Sequence, residues 1–155
     1  MIRMTRQTDY GIVLLTRMAN RPAAEVHTAR DLAAEARLPL PMVSKILKML
    51  AREGLLVSHR GVKGGYSLAQ RPEEISVSRI ISAMEGPVAM THCSFATPGT
   101  CEHETVCPTR GNWQRINRVV RQALEQISLL EMAHPLPEAL VTLGGVGREG
   151  GAGAR

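Results

Sequence analysis

Aromatic residues are scarce in this chain of 155 residues: they make up 3% of the composition, although 44% of the residues are hydrophobic. A chain of this length and hydrophobic content can bury a real core. Because aromatics are few, that core must consist of Leu, Ile, Val, Met and Ala, a mixture that suits helices better than a large sheet. The composition therefore predicts a mainly α-helical protein.

Long hydrophobic runs are also missing. No run reaches the ~18 apolar residues that a membrane span needs, and the N-terminal stretch MIRMTRQTDYGIVLL lacks the apolar core and cleavage site of a signal peptide. We therefore expect a cytoplasmic protein with no membrane partner. Thiols stay reduced in that compartment, and the odd number of cysteines, three, further disfavours a disulfide framework.

Catalytic signatures are absent as well. The sequence has no Ser/His/Asp pattern and no phosphate-binding glycine loop, so an enzyme or an iron–sulfur electron carrier is only a remote alternative. The charge is unbalanced, with a net charge of +5 and a pI near 9.6. A basic surface favours a polyanionic partner such as nucleic acid.

An amphipathic helix is predicted over residues 5–20. Two short predicted helices follow it in the chain and form a helix-turn-helix pattern. The first is predicted over residues 29–37, after an N-cap at Thr28. The proline in the connector 38–40 restricts the turn, and the second helix runs from Pro41 to about Arg52. Its polar face carries Ser44, Lys45, Lys48 and Arg52. This pattern predicts a recognition helix.

A β-hairpin is predicted directly after that helix, with strands over residues 55–60 and 66–68. Arg60 and Lys63 place positive charge at its tip, and its glycines allow positive φ angles and a close approach to phosphate. This order is that of a winged helix-turn-helix, whose expected partner is double-stranded promoter DNA. The candidate DNA-binding residues are Thr28, Ser44, Lys45, Lys48, Arg52, Arg60, Lys63, Gly64 and Gly65.

A long helix is predicted from Thr109 to Leu130, after a shorter helix over residues 77–85. Its apolar residues recur at the a/d spacing of a coiled coil, namely Trp113, Ile116, Val120, Ala123, Ile127 and Leu130. Such a seam needs a partner, and a homodimer would pair two half-sites. The predicted divisions are 1–86 for DNA binding, 87–108 for a cysteine-rich loop, 109–134 for dimerisation, and 135–155 for a flexible tail.

All three cysteines lie between these modules, spaced C-x7-C-x5-C among turn-forming residues. Such a segment buries little apolar surface, and three thiolates bound to a metal or cluster would hold it. The spacing is wide for a zinc knuckle and suits an iron–sulfur cluster without deciding the matter. His92 or His103 could instead complete a Cys3His zinc site, and a metal-free thiol redox switch is the third alternative.

Together these motifs resemble the Rrf2 family of bacterial transcription regulators. The likeness is carried by TDYGIVLLTRMA, LPLPMVSKILKMLAREGLLVSHRGVKGGYSLA, EISVSRIISAMEGP, the three cysteines and NWQRI. It implies a winged-helix homodimer in which Cys93, Cys101 and Cys107 ligate a [2Fe-2S] or [4Fe-4S] cluster whose state sets promoter affinity. The likeness is greatest to the branch that regulates the SUF iron–sulfur assembly system, which implies a repressor of assembly genes.

The sequence departs from that family pattern at two points. The first cysteine gap is seven residues where related members commonly have five, and Arg110 stands where IscR-like members place a histidine ligand. NsrR-like members, which sense nitric oxide, use an aspartate on the first helix of the partner subunit, and Asp9 matches it. The resemblance therefore favours Asp9 in trans as fourth ligand over His92, His103 or an exogenous group, and a nitric oxide sensor is an alternative function.

Overall fold

The structure is a computed structural model that describes residues 4–91 and 106–134. Its elements in chain order are α1 (Arg6–Ala19), α2 (Ala29–Ala36), α3 (Leu40–Arg52), β1 (Leu56–His59), β2 (Gly65–Leu68), a 3-10 turn (Pro72–Glu74), α4 (Val77–Glu85), α5 (Arg110–Glu125) and α6 (Leu129–Ala133). The strands pair antiparallel, from Leu56 opposite Leu68 to His59 opposite Gly65. The predicted fold class, mainly helical with one small hairpin, is confirmed.

An aliphatic core joins the N-terminal helices to the hairpin and α6. Its fully buried side chains are Leu14, Leu15, Met18, Leu32, Val43, Ile46, Leu47, Leu50, Leu55, Ile75, Ile80 and Leu129. Two tyrosines, Tyr10 and Tyr66, pack against this core and are only partly buried. The core is therefore made of the residue types that the shortage of aromatics predicted.

The turn between α2 and α3 is closed by backbone hydrogen bonds rather than by a glycine. Arg37 lies in the left-handed region with φ 55°, and the N–H of Leu38 donates to the carbonyl of Ala33 at 3.0 Å. A left-handed conformation costs a side-chain-bearing residue roughly 1–2 kcal/mol. The capping hydrogen bonds offset that cost, and α3 then begins at Leu40, one residue before the predicted start.

The predicted long C-terminal helix is wrong beyond Glu125, where α5 ends. The next residues pair with the chain just before α4: the N–H of Val77 donates to the carbonyl of Ile127 at 2.9 Å, and that of Leu129 to Ile75 at 2.7 Å. Buried backbone groups need partners, and these two bonds satisfy groups that a continuous helix would leave unpaired. The coiled-coil seam therefore does not extend to Leu130.

Local sequence also favours a new helix at this break. Ser128 accepts a hydrogen bond from the backbone N–H of Glu131 at 3.1 Å, and the Glu131 carboxylate accepts one from the Ser128 N–H at 2.7 Å. This capping box starts α6 and places Leu129 in the core. In the sequence, the heptad spacing favoured a continuous helix, and the Ser-x-x-Glu signal for a new helix start was therefore missed.

Across residues 4–91 and 106–134, no helix is both long enough and apolar enough to cross a membrane.

Candidate nucleic-acid interface and cysteine segment

Helix α3 presents one apolar and one basic face. Its buried residues are Val43, Ile46, Leu47 and Leu50. Lys45 and Lys48 lie on the opposite side and are exposed, Ser44 is half-buried, and Arg52 is exposed in the last turn. The polar face that the sequence predicted for the candidate recognition helix is therefore the face opposite the core.

The lysines of this face have no electrostatic partner among the described residues. Neither Lys45 nor Lys48 makes an ion pair or hydrogen bond there, whereas Arg21 and Arg71 on other faces pair with glutamates. Every lysine in the chain lies on α3 or in the hairpin, the third being Lys63. Basic side chains without carboxylate partners are available to an external polyanion.

Arg52 differs from these lysines. Its Nε donates to Oε1 of the neighbouring Glu53 at 3.1 Å. Both side chains are exposed, and exposed pairs of this kind contribute only ~0–1 kcal/mol. The pair would separate at little cost when a phosphate approached, so the structure leaves the predicted role of Arg52 untested.

The hairpin between β1 and β2 forms the wing. Arg60 and Lys63 are exposed at its tip, as predicted, and Val62 between them is fully exposed. The imidazole Nε2 of His59 lies 2.8 Å from the hydroxyl oxygen of Ser67 on the opposite strand, within hydrogen-bond distance. This contact stabilises the pairing of β1 with β2 next to the basic tip of the wing.

Glycines in the wing are required for two different reasons. Gly61 has a φ of +107°, and its carbonyl accepts a hydrogen bond from the N–H of Gly64 at 2.9 Å. Gly64 and Gly65 do not have positive φ; a Cβ at Gly64 would lie 2.6 Å from the carbonyl oxygen of His59, and one at Gly65 would overlap that of His27. These two glycines therefore allow close contacts within the chain. Their proposed contact with DNA remains a prediction.

The wing is joined to the start of α2 by a short backbone bridge. The N–H of His27 donates to the carbonyl of Tyr66 at 2.8 Å, and the N–H of Tyr66 donates back at 2.9 Å. The next residue, Thr28, caps α2: its hydroxyl accepts from the Asp31 N–H at 3.1 Å and donates to the Asp31 carboxylate at 2.7 Å. The Thr28 hydroxyl is thus already engaged, and its contact with DNA stays a prediction.

Of the predicted cluster ligands, Cys93 and Cys101 lie outside the described residues, as do the alternatives His92 and His103. Cys107 is described and is half-buried with a free thiol. Among the described residues no group of three or more His, Cys, Asp or Glu side chains could hold a metal ion. The ligand prediction can therefore be compared with the structure only at Cys107 and Asp9.

Cys107 stands just before α5, with its Sγ 3.4 Å from the hydroxyl oxygen of Thr109. The Thr109 hydroxyl and backbone N–H, followed by the N–H and charge of Arg110, lower the pKa of the Cys107 thiol below its ordinary value. A thiolate stabilised at a helix start is the form that binds metals and reacts with oxidants. The sequence reasoning missed Thr109; a hydroxyl residue two positions after the cysteine was the available signal.

Asp9 lies in the first turns of α1, is exposed, and makes no side-chain hydrogen bond or ion pair with another described residue. The N-terminus of α1 is capped instead by Thr5, whose hydroxyl accepts from the Thr8 N–H at 3.3 Å, and Glu85 from the end of α4 reinforces this cap. The Glu85 carboxylate accepts from the Thr8 hydroxyl at 2.6 Å and from the Thr5 N–H at 2.7 Å. These hydrogen bonds, chiefly that from Thr8, lower the pKa of Glu85. Asp9 is therefore free for a ligand.

Helix α5 keeps most of its surface exposed within a single chain. Its apolar residues Trp113, Ile116 and Val119 are 38%, 43% and 58% exposed. A helix with such a face needs a partner, and none of the described residues of the same chain covers it. This observation agrees with the predicted dimerisation role of α5.

Comparison with known proteins agrees with this arrangement. The Rrf2 family, described as "Iron-dependent Transcriptional regulator", matches residues 4–135. The chain is 25% identical to the regulator NsrR of Shouchella clausii (84% of this chain, 88% of the relative) and 28% identical to IscR of Aliivibrio salmonicida (84% and 77%). The crystal structure of Staphylococcus aureus CymR in its oxidized form superposes with a TM-score of 0.63 at 26% identity (88% and 99%). The family match covers most of the sequence, including α2, α3, Cys107 and α5, and the chain therefore belongs to the Rrf2 family of transcriptional regulators.

Proposed function

We propose that this chain is an iron–sulfur cluster-dependent regulator that binds promoter DNA as a homodimer and represses iron–sulfur assembly genes. The observation that carries the proposal is the Cys107 thiol, whose pKa is lowered just ahead of α5, the helix whose apolar face no described residue covers. Cys107 thus places a sulfur that can bind a metal next to α5, the helix expected to pair two subunits.

DNA binding in this proposal depends on α3 and the wing. Ser44 and Lys45, near the start of α3, are placed to contact base edges, because the first turns of a recognition helix enter the major groove. Lys48, Arg60 and Lys63 would contact phosphate or the minor groove. The absence of carboxylate partners for Lys45 and Lys48 among the described residues supports this assignment.

The cluster ligands in this proposal are Cys93, Cys101 and Cys107, with Asp9 of the partner subunit as the fourth. The donor set fits at the two described positions, since the Cys107 thiol is poised to ionise and the Asp9 carboxylate is unengaged. When bound, the cluster would supply a redox-active centre of iron and sulfide. A bound cluster would hold these ligand residues in place, and loss of the cluster would release them.

Regulation would follow from the location of the ligands. Cys107 lies three residues before the start of α5, and Asp9 is on α1, which packs on α3 and α4. When the cluster holds its ligand residues, it would fix the position of α1 relative to α5. Because α1 packs on α3, this would also fix the spacing of the two recognition helices. A typical allosteric coupling of ~1–3 kcal/mol would change DNA affinity by about 5–150-fold.

Anaerobic purification with an absorbance spectrum and analysis of iron, sulfide and zinc tests the cofactor. We expect a coloured protein with iron and sulfide in matched amounts, and Cys101→Ala should lose both while remaining a folded dimer. Titration of promoter DNA with loaded and unloaded wild type tests the regulation. Strictly anaerobic protein without iron, or with identical affinity in the two states, would exclude the proposed mechanism.

A thiol-redox regulator without metal is the second candidate. The lowered pKa of the Cys107 thiol favours it, because a thiolate reacts faster with oxidants than a thiol does. In that case the purified protein would be colourless and free of iron and zinc, and mild oxidant would change DNA affinity reversibly. A colourless protein with bound zinc would support the structural zinc site instead.

A nitric oxide sensor is a variant of the main proposal rather than a separate protein class. The match of Asp9 to the NsrR-like ligand position supports it. Exposure of loaded protein to nitric oxide would bleach the cluster absorbance and change DNA affinity, whereas an assembly regulator would respond chiefly to cluster supply.

A further inference from the structure

Asn117 is the only residue of α5 that is buried among the described residues, at 6% exposed. Its Oδ1 accepts a hydrogen bond from the backbone N–H of Met90 at 3.1 Å. Met90 lies 27 residues earlier in the chain and just ahead of Cys93 in the sequence. A polar side chain buried on an otherwise exposed helix thus contacts the entry to the cysteine segment.

The short stretch between α4 and the cysteine segment, residues 86–91, is held at both ends. Near its start, Glu85 binds the N-terminus of α1 through Thr5 and Thr8. Gly86, with φ +89°, turns the chain out of α4. Near its end, the Met90–Asn117 hydrogen bond joins it to α5. The stretch therefore links the helix carrying Asp9 to the helix that follows Cys107.

Helix α5 consequently controls both ends of the cysteine segment. The C-terminal end reaches it covalently, because Cys107 lies three residues before the first residue of the helix, Arg110. The N-terminal end is fixed by the side chain of Asn117. An amide oxygen suits this task because it accepts from a backbone N–H, and the bond is partly buried on the Asn117 side, so an unmet donor there is costly.

We propose that Asn117 is a positioning residue that holds the entry of the cysteine segment against α5, so that the ligand cysteines retain a bound cluster. This role rests on the proposed function. Loss of one such hydrogen bond should raise the opening rate of the segment entry, and with it the rate of cluster loss, by about fivefold, the factor expected for one net hydrogen bond. DNA binding by the unloaded protein should not change, since the Asn117 side chain is hydrogen-bonded to Met90 and, among the described residues, to no residue of α3 or the wing.

The test uses the full chain carrying Asn117→Leu, which keeps the branched shape and the number of side-chain heavy atoms but removes the acceptor, and Asn117→Asp, which keeps an acceptor. Gln114→Leu, an exposed position of α5, is the matched control for added apolar surface. If the leucine variant does not fold, Asn117→Ala replaces it. Two quantities are measured: hydrogen exchange of the Met90 amide in unloaded protein, and anaerobic loss of visible absorbance to an iron chelator.

We expect Asn117→Leu to accelerate both exchange and cluster loss, and Asn117→Asp and Gln114→Leu to stay near wild type. Unchanged exchange, or faster exchange with unchanged cluster loss, would overturn the positioning role while leaving the proposed function intact. Wild-type protein that never carries iron would overturn the proposed function, and the cluster-positioning role with it. The iron content of the wild type therefore separates the two failures.

Discussion

Lys48→Ala should weaken promoter binding and reduce its dependence on salt. Lys48 is exposed on the basic face of α3 and has no carboxylate partner among the described residues, so its substitution breaks no ion pair within that part of the chain. Each phosphate contact contributes about 0.9 to the slope of log K against log salt. A homodimer loses one contact per subunit, so the slope should fall by about 1.8.

This change in slope has a measurable consequence for affinity. Over a fourfold rise in salt, a slope difference of about 1.8 reduces the advantage of the wild type over the variant roughly tenfold. Measurements at 50 to 200 mM salt, a range over which such contacts act strongly, would therefore show the two binding curves converging. The variant should fold normally, because Lys48 contributes nothing to the buried face of α3.

Fluorescence anisotropy with a labelled promoter duplex, at four or more salt concentrations, gives both slopes. Lys48→Arg keeps the charge and should keep the slope. Arg71→Ala removes the same charge from a residue paired with Glu74 on another face, and should leave the slope unchanged. An unaltered slope in Lys48→Ala, or an equal fall in Arg71→Ala, would refute a direct phosphate contact by Lys48.

Three further predictions concern stability, each measured by urea unfolding at fixed protein concentration. Leu129→Ala should cost ~2–5 kcal/mol, because the side chain is fully buried; a cost below about 1 kcal/mol would show that α6 is not docked. Gly65→Ala should cost ~1–3 kcal/mol, because its Cβ would overlap the His27 carbonyl, whereas Gly111→Ala, with open space around it, should be neutral or stabilising. The pKa of Glu85 is lowered in the folded protein. The ionised carboxylate therefore contributes fully to stability above its unfolded-state pKa of 4.5, and this contribution is lost as the pH falls through its folded-state pKa. Glu85→Gln should therefore be less stable than wild type at pH 7 but not in acid, and a difference that persists in acid would contradict this assignment.

The sequence was sufficient for the elements whose local signals agree with one another. Thr28 caps the helix that it was expected to begin, and the residues predicted for the polar face of α3 lie away from the core. The hairpin was also predicted, because the glycines near its turn separate two strand-like runs. In these places propensity, capping and periodicity all favour the same structure.

The end of the long helix could not be predicted, because its signals conflict. The heptad spacing favours a continuous helix, whereas Ser128 and Glu131 favour a new start. The outcome depends on a pairing between residues 75–77 and 127–129, whose two backbone hydrogen bonds are distant in sequence. Periodicity carries no information about such a contact.

The candidate site shows the same limit. The sequence supplied the cysteines and the basic residues, because each has chemistry that can be recognised by residue type, and the family resemblance supplied Asp9. It did not supply Glu85, Asn117 or Thr109, which act through long-range or local hydrogen bonds. A glutamate at a helix end and an asparagine on a polar helix are ordinary surface residues until the fold shows what they contact.

The pairing pattern of the charges constrains how regulation could work. Within the described residues, no carboxylate pairs with Lys45, Lys48 or Lys63, so none of those residues masks these cations in one state and releases them in another. In the proposed homodimer, a change in affinity would then come from how the two recognition helices are placed relative to each other. That placement would depend on the ligands at α1 and α5, while Glu85 holds the N-terminus of α1 and Asn117 holds Met90 to α5, on either side of the short stretch that enters the cysteine segment. A regulator of this design would alter the geometry of DNA binding rather than the charge that drives it.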